Sequence, residues 1–409
     1  MANNSPILMI LVDALGHKII KTHNMPYLQK LIKKSDGPYE LTPLLGYSDA
    51  QRMAFFTGNS PKNSEYWTDS MMTTEQSILE PFYKLRLLDN IPNDFIKRCF
   101  KFLLSLTVCK LIVANSDYDS VPIYNMPFKA MKYFTPSLKK SMFEPNPFKS
   151  TSTIFDHIRE SNGTYHTIQT DRYGLKNIMK LPTQFLPRIL KDIRNTSTET
   201  DFIYMYLHSV DMWGHRYGIK SEKFSEVLQS TDLALEQIIN ASHSHFGEDL
   251  RICIVSDHGM NHTKEFIDFS DLIYNKSFGR DYLVALDSTM VRIWYLTEKG
   301  KIKIRDYFSN DHRGHFLSKS EMKNYGINFE DNRYYEDIFL LDEGWSIFPN
   351  FHSYLKPLSM HAYDPKGYDQ QGILMLSGFS EEFKTPINNR VDIKEVMPFL
   401  LKSLNLTTL

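Results

Sequence analysis

Ile7-Leu8-Met9-Ile10-Leu11-Val12-Asp13 is an unbroken apolar run closed by an acid. Such a run, without polar alternation, predicts a strand buried on both faces of a parallel sheet. The pattern recurs twice. Phe202-Ile203-Tyr204-Met205-Tyr206-Leu207 leads to Asp211, and Ile252-Cys253-Ile254-Val255-Ser256 leads directly to Asp257. In open α/β sheets ligands bind beyond the carboxyl ends of the strands. Three acids delivered to that one edge repel one another unless cations sit among them, and a pair of divalent metals meets that need.

Working outward, the residues near these acids have metal-ligand chemistry. Asp211 and His215 stand at i, i+4, on one face of a helical turn, and His258 follows Asp257. His361 lies further on, and Ser48 sits between Gly46-Tyr47 and a helical pattern at Ala50–Phe56. That places the serine at a helix N-terminus, where backbone N–H groups and the dipole favour an anion. Each residue alone has an ordinary explanation: an acid after a strand is often a helix cap, and an i, i+4 Asp–His pair is often a structural hydrogen bond. Their joint occurrence favours a borderline metal such as zinc, which prefers carboxylate and imidazole ligands.

The chain has 409 residues, 42% hydrophobic, with 47 basic and 48 acidic side chains. It is long enough for a large core with insertions, and a net charge of -1 gives no field that would single out nucleic acid. Three cysteines form no CxxC pair, and the first residues lack the positive start of a signal peptide. The longest other apolar stretch, Phe102–Ala114, falls short of the ~20 residues of a membrane span. These features predict a cytoplasmic protein. Oligomeric state is not legible.

Strand–helix alternation predicts an α/β core with a mostly parallel central sheet flanked by helices. Helices are expected at Met25–Lys34, Ser152–Ser161, Thr183–Ile193, Ser221–Ser242 and Ile393–Leu404, with a short strand at Tyr165–Gln169. The rhythm breaks twice, so the core is assigned to 1–60, 151–274 and 351–409. A first insertion (a lid) covers 61–150 and a second (a cap) covers 275–350. Within the first, Phe95–Val113 mixes Lys97, Arg98, Lys101 and Lys110 with Phe95, Phe100, Phe102, Leu103 and Leu106. The ordinary reading is a lid helix packed on the core; the alternative is a surface that covers an acyl or prenyl chain or lies on a membrane.

Asp13 after the first strand, Ser48 with Thr57-Gly58 following, Asp211-Met212-Trp213-Gly214-His215, Ser256-Asp257-His258-Gly259-Met260 and Met360-His361-Ala362-Tyr363-Asp364-Pro365 together resemble the alkaline phosphatase superfamily. Within it they most resemble the type I phosphodiesterase/nucleotide pyrophosphatase family. The match runs through the whole core in order and does not cover the insertions. The resemblance implies an alkaline-phosphatase-like core and two metals, zinc first and manganese as the alternative. Asp211, His215 and His361 would hold one ion, Asp13, Asp257 and His258 the other, with Ser48 on or between them. It further implies cleavage of a phosphodiester or pyrophosphate bond in a small phosphate ester, through a phosphoseryl intermediate on Ser48 that a metal-activated water resolves. Metal coordination supplies the activation a serine hydroxyl otherwise lacks.

The chain departs from the family after the nucleophile. Thr-Phe-Pro-Asn becomes Ser48-Asp49-Ala50-Gln51, so Gln51 takes the place of an asparagine that donates to a phosphoryl oxygen. The usual His-Gly after the first helix is replaced by Ser60-Pro61-Lys62-Asn63-Ser64. Ser48-Asp49-Ala50-Gln51-Arg52 also approaches the Cys/Ser-x-Pro-x-Arg of sulfatases, but Ala50 replaces the proline, and sulfatases lack the Asp-x-x-Gly-His ligand group. Arg52 reads as a salt-bridging helix residue. A phosphomonoesterase or phosphotransferase of the same superfamily is the nearer alternative. Among Tyr47, Tyr66, Trp67 and Trp213, ordinary core packing is the default, and Tyr47, beside Ser48, is the expected substrate contact.

Overall fold

The computed structural model describes residues 5–406 except 74, 117, 119–120, 122, 124, 139, 175–176, 178 and 381–388. The chain divides into two compact units. One comprises 1–59, 152–262 and 364–409, the other 60–151 and 263–363. Residues 263–274 and 351–363, assigned from the sequence to the core, belong to the second unit, together with both interrupting segments.

The first unit is built on a seven-stranded sheet. Its strands are β1 (Ile7–Val12), β2 (Asp36–Thr42), β3 (Tyr165–Gln169), β4 (Phe202–Leu207), β5 (Arg251–Ser256), β6 (Gly372–Ser377) and β7 (Arg390–Asp392). Their order across the sheet is β7-β2-β6-β5-β1-β4-β3. All neighbours pair in parallel except around β6, which runs antiparallel to both β5 and β2. The three apolar runs lie side by side at the centre, and every residue of β1, β4 and β5 is buried. That is the burial expected of strands covered on both faces.

Register decides where the acids emerge. Val12 lies opposite Leu207 and Leu11 opposite Val255, so Asp13 and Asp257 leave the sheet at the same level. Helix α1 (Ser48–Thr57) begins six residues after β2 and ends on Gly58 in the left-handed conformation (φ 64°). Helix α2 (Ser209–Tyr217) follows β4 almost at once, and α3 (Glu222–Phe246) carries Leu228, Leu235 and Ile239 into the core beneath the sheet. Ser221 caps α3 by accepting a hydrogen bond from the Phe224 N–H.

The second unit contains a four-stranded antiparallel sheet, ordered Tyr282–Leu286, Met290–Tyr295, Asp337–Leu341, Gly314–Phe316. Its core holds a fully buried ion pair. Arg292 donates to both carboxylate oxygens of Asp287 (2.8 and 3.3 Å) and to the Ser70 carbonyl (2.9 Å), and His352 Nε2 lies 2.8 Å from Asp287 Oδ1. The amphipathic stretch forms two helices, Asp94–Leu106 and Val108–Ala114.

Candidate metal centre

At the carboxyl edge of the first unit's sheet, Asp13, Asp257 and His258 offer ligand atoms that lie within 4.8 Å of one another. All three are buried. His258 Nε2 is 3.4 Å from Asp13 Oδ1 and 3.4 Å from Asp257 Oδ2, and Ser48 Oγ lies 3.1 Å from the same nitrogen. Four groups therefore converge on one point.

Their proton chemistry makes the convergence unfavourable without a cation. His258 Nδ1 lies 3.0 Å from the Gly259 carbonyl. A carbonyl only accepts, so Nδ1 carries the proton and, in the neutral imidazole, Nε2 presents a lone pair. Asp13 Oδ1 and Asp257 Oδ2 accept no hydrogen bond from an N–H or hydroxyl among the described residues. Burial, and next the Asp257 charge, push the Asp13 carboxyl well above the usual range. Asp257 is raised too, by burial first and the Asp211 charge after it, although its Oδ1 accepts the Ala14 N–H (3.2 Å). Buried polar atoms are almost always paired. Two orphaned carboxylate oxygens facing an imidazole lone pair form a donor set suited to a borderline divalent ion.

The local backbone serves this arrangement. Ala14 adopts φ 60°, a conformation uncommon outside glycine and typical of functional sites. A Cβ on Gly259 would come within 2.2 Å of the Asp369 carbonyl oxygen, and one on Gly214 within 2.4 Å of Met260 Sδ. The glycines of Asp-His-Gly and Asp-x-x-Gly-His thus let the loop after β5 pack closely on its surroundings.

Asp211 and His215 share one face of α2, half-buried, with His215 Nε2 3.1 Å from Asp211 Oδ1. His361 is buried in the second unit, after the strand Ser359–Met360, and Ala362 behind it has φ 68°. Ser48 is the first residue of α1 and Tyr47 its N-cap, both half-buried. Tyr66 and Trp67 are core aromatics, and Trp213 packs on Tyr217 with ring centroids 5.1 Å apart.

Gln51 departs from its expected role. Its Oε1 accepts the Leu44 N–H (2.7 Å), and its Nε2 donates to the Leu44 (2.8 Å) and Gly46 (3.1 Å) carbonyls. Both amide hydrogens are committed to the loop before Ser48, so the side chain braces that loop instead of pointing a donor at a phosphoryl oxygen. Arg52 pairs with Asp49 and lies over the Tyr206 ring, 5.4 Å from its centroid. Tyr206 is a neighbour of the cluster that the sequence reading did not single out: its hydroxyl donates to Asp13 Oδ2. Burial and the Asp13 charge raise the Tyr206 pKa, so the phenol keeps its proton and holds the carboxylate in place. The signal was present as a tyrosine at the end of β4, next to β1.

Fold and site together define a metal-dependent hydrolase with an alkaline-phosphatase-like architecture. The chain belongs to the type I phosphodiesterase/nucleotide pyrophosphatase family, whose model matches residues 7–313; its members hydrolyse phosphodiester or pyrophosphate bonds. Comparison with curated proteins finds no match. Among solved structures it is similar to murine ectonucleotide pyrophosphatase/phosphodiesterase 5, an inactive variant in complex with AMP. Identity is 14%, TM-score 0.68, with 99% of this chain and 96% of that chain covered. The human counterpart is similar at 16% identity and TM-score 0.66, with the same coverage.

Proposed function

We propose that the chain is a two-metal phosphodiesterase acting through Ser48. The observation that carries this reading is the pair of orphaned oxygens, Asp13 Oδ1 and Asp257 Oδ2, gathered with Ser48 Oγ around His258 Nε2. In this reading Asp13, Asp257 and His258 hold one ion, and Asp211, His215 and His361 hold a second, most suitably zinc, with manganese the alternative. When bound, the ions would supply positive charge that acidifies a nearby hydroxyl and offsets charge on the phosphoryl oxygens.

The chain's own residues do the rest. Ser48 Oγ attacks phosphorus, the bond to the leaving oxygen breaks and that group departs with the serine's proton, leaving a seryl phosphate ester that keeps the other substituent; water then attacks it, releasing the phosphate monoester and freeing Ser48. Ser48 stands at the α1 N-terminus, whose dipole favours the phosphoryl anion. Gln51 fixes the loop that aims Ser48, and Tyr206 fixes Asp13. The AMP complex of the murine protein supports a nucleotide-like ester as substrate, with Tyr47 stacking beside it. The three free cysteines support a reducing, cytoplasmic setting.

Mass spectrometry of protein quenched in acid during turnover of bis-p-nitrophenyl phosphate tests the covalent step. The peptide containing Ser48 is expected to carry a p-nitrophenylphosphoryl adduct, since only one of the two p-nitrophenolate groups leaves, and its absence under steady turnover would remove Ser48 as nucleophile. Faster hydrolysis of p-nitrophenyl phosphate than of the diester would favour the monoesterase reading.

A further inference from the structure

The helix Asp94–Leu106 is amphipathic with its faces largely reversed, while Val108–Ala114 packs Cys109, Ile112 and Val113 on the core and leaves Val108 and Leu111 outside. Phe95 (63% exposed), Ile96 (53%), Leu103 (58%) and Leu111 (64%) face solvent at helical spacing, and Phe100, Phe102 and Val108 join them. The cations of Asp94–Leu106 turn inward instead. Lys101 is buried, donating from Nζ to the Asn125 carbonyl (3.1 Å); Lys97 pairs with Asp94 (2.7 Å); and Arg98 lies over the Phe348 ring. A lid helix packed on a core buries its apolar stripe. In Asp94–Leu106 the cations pack on the protein and, apart from Leu104, most of the large apolar side chains are left outside, the arrangement of a surface that meets another apolar phase.

We propose that this outer face seats the protein on an anionic phospholipid surface. Of the six cations in Glu80–Ala114, Lys97, Arg98 and Lys101 turn inward, and the three that remain outside face one exposed acid, Asp94, in a chain whose net charge is -1. Lys84, Arg86 and Lys110, which bracket the apolar residues in sequence, are exposed. An apolar face accompanied by exposed cations complements a bilayer with anionic headgroups, whereas a second copy would set the same positive charge against itself. The longer helix has 13 residues, about 20 Å at 1.5 Å per residue. No helix among the described residues is long and apolar enough to cross a membrane, so the contact is interfacial. The basic residues that the sequence reading would have set against lipid, Lys97 and Lys101, have a structural task; apolar insertion provides the contact and the flanking cations provide the preference for negative lipid. The inference is independent of the chemistry at Ser48.

Co-sedimentation of the full chain with vesicles of phosphatidylcholine, alone or with a quarter phosphatidylserine, tests it. Wild-type protein is expected to pellet with the phosphatidylserine vesicles. The triple variant Phe102→Gln/Leu103→Gln/Leu111→Gln is expected to bind at least about tenfold more weakly, with unchanged thermal midpoint and unchanged hydrolysis of bis-p-nitrophenyl phosphate. Lys84→Glu/Arg86→Glu/Lys110→Glu is expected to abolish the preference for phosphatidylserine. Wild-type protein that stays in the supernatant, or pelleting that survives the triple substitution, overturns the proposal. So does a dimer, seen by sedimentation velocity, that the triple variant dissociates while vesicle binding is absent.

Discussion

Asp13 and Asp257 in the first unit are buried as completely as Asp287 in the second, yet the surroundings drive their chemistry in opposite directions. Burial raises all three. At Asp287 the Arg292 guanidinium and His352 more than offset it, and the carboxyl is held below its usual range. At Asp13 and Asp257 the nearest charges include other carboxylates, and both are raised. A buried acid that the protein pairs for itself is part of the framework. Buried acids left to face one another and a histidine lone pair mark a place where the fold depends on a ligand it does not encode. The difference lies not in burial but in whether positive charge is supplied by a side chain or must come from outside.

Substitutions at the two places should part company. The largest effect is expected from Ser48→Ala, which removes the hydroxyl but neither set of acids. Hydrolysis of bis-p-nitrophenyl phosphate should fall at least about 10⁴-fold, roughly 5 kcal/mol or more of transition-state stabilisation, with an unchanged thermal midpoint. Next, Asp287→Asn leaves Arg292 buried against a neutral partner and should cost about 3–5 kcal/mol of stability, read as a lowered melting temperature whether or not metal is present. Asp13→Asn should do the reverse in chelator-treated protein, raising the melting temperature by the equivalent of about 1 kcal/mol because one of two mutually repelling acids is gone. A fall in that melting temperature would mean that Asp13 is satisfied within the protein and that the comparison fails.

The smallest effect concerns pH. Burial lowers the His352 pKa, but Asp69 and Asp287 outweigh it and the net shift is upward. A group raised on folding contributes stability that is complete below its unfolded pKa, near 6.5, and is lost as pH rises through the folded value. The urea midpoint should therefore decline as pH rises above about 6.5 in the wild type, and less so in His352→Gln.

The half of the sheet that carries ligands was legible in the sequence, because β1, β4 and β5 are apolar throughout and each is followed by an acid within a few residues. The other half was not. Asp36–Thr42 holds Gly37, Pro38 and two acids and has no apolar run, and its strand is formed by pairing with β6 while most of its residues stay partly exposed. Gly372–Ser377 is apolar only over Ile373–Leu376, a shorter run than β1, and it stands late in the chain beyond the last of the quoted motifs. Tyr165–Gln169 has the bounds read from the sequence, and α3 runs four residues beyond its expected end. At the site, residue types were readable and hydrogen-bond allegiance was not. Gln51 and Tyr206 take their roles from a loop carbonyl and a neighbouring strand, contacts that only the folded chain creates. The same holds for Phe95–Val113, where the amphipathic period was visible but which stripe packs inward was not.

Elemental analysis of purified protein by inductively coupled plasma mass spectrometry bears most directly on the ligand that these acids require. Wild-type chain should carry close to two divalent ions and Asp257→Asn about one. A wild type that binds no divalent ion when supplied with zinc and manganese, or an Asp257→Asn variant with undiminished content, would show that the acids at this rim are there for some other reason.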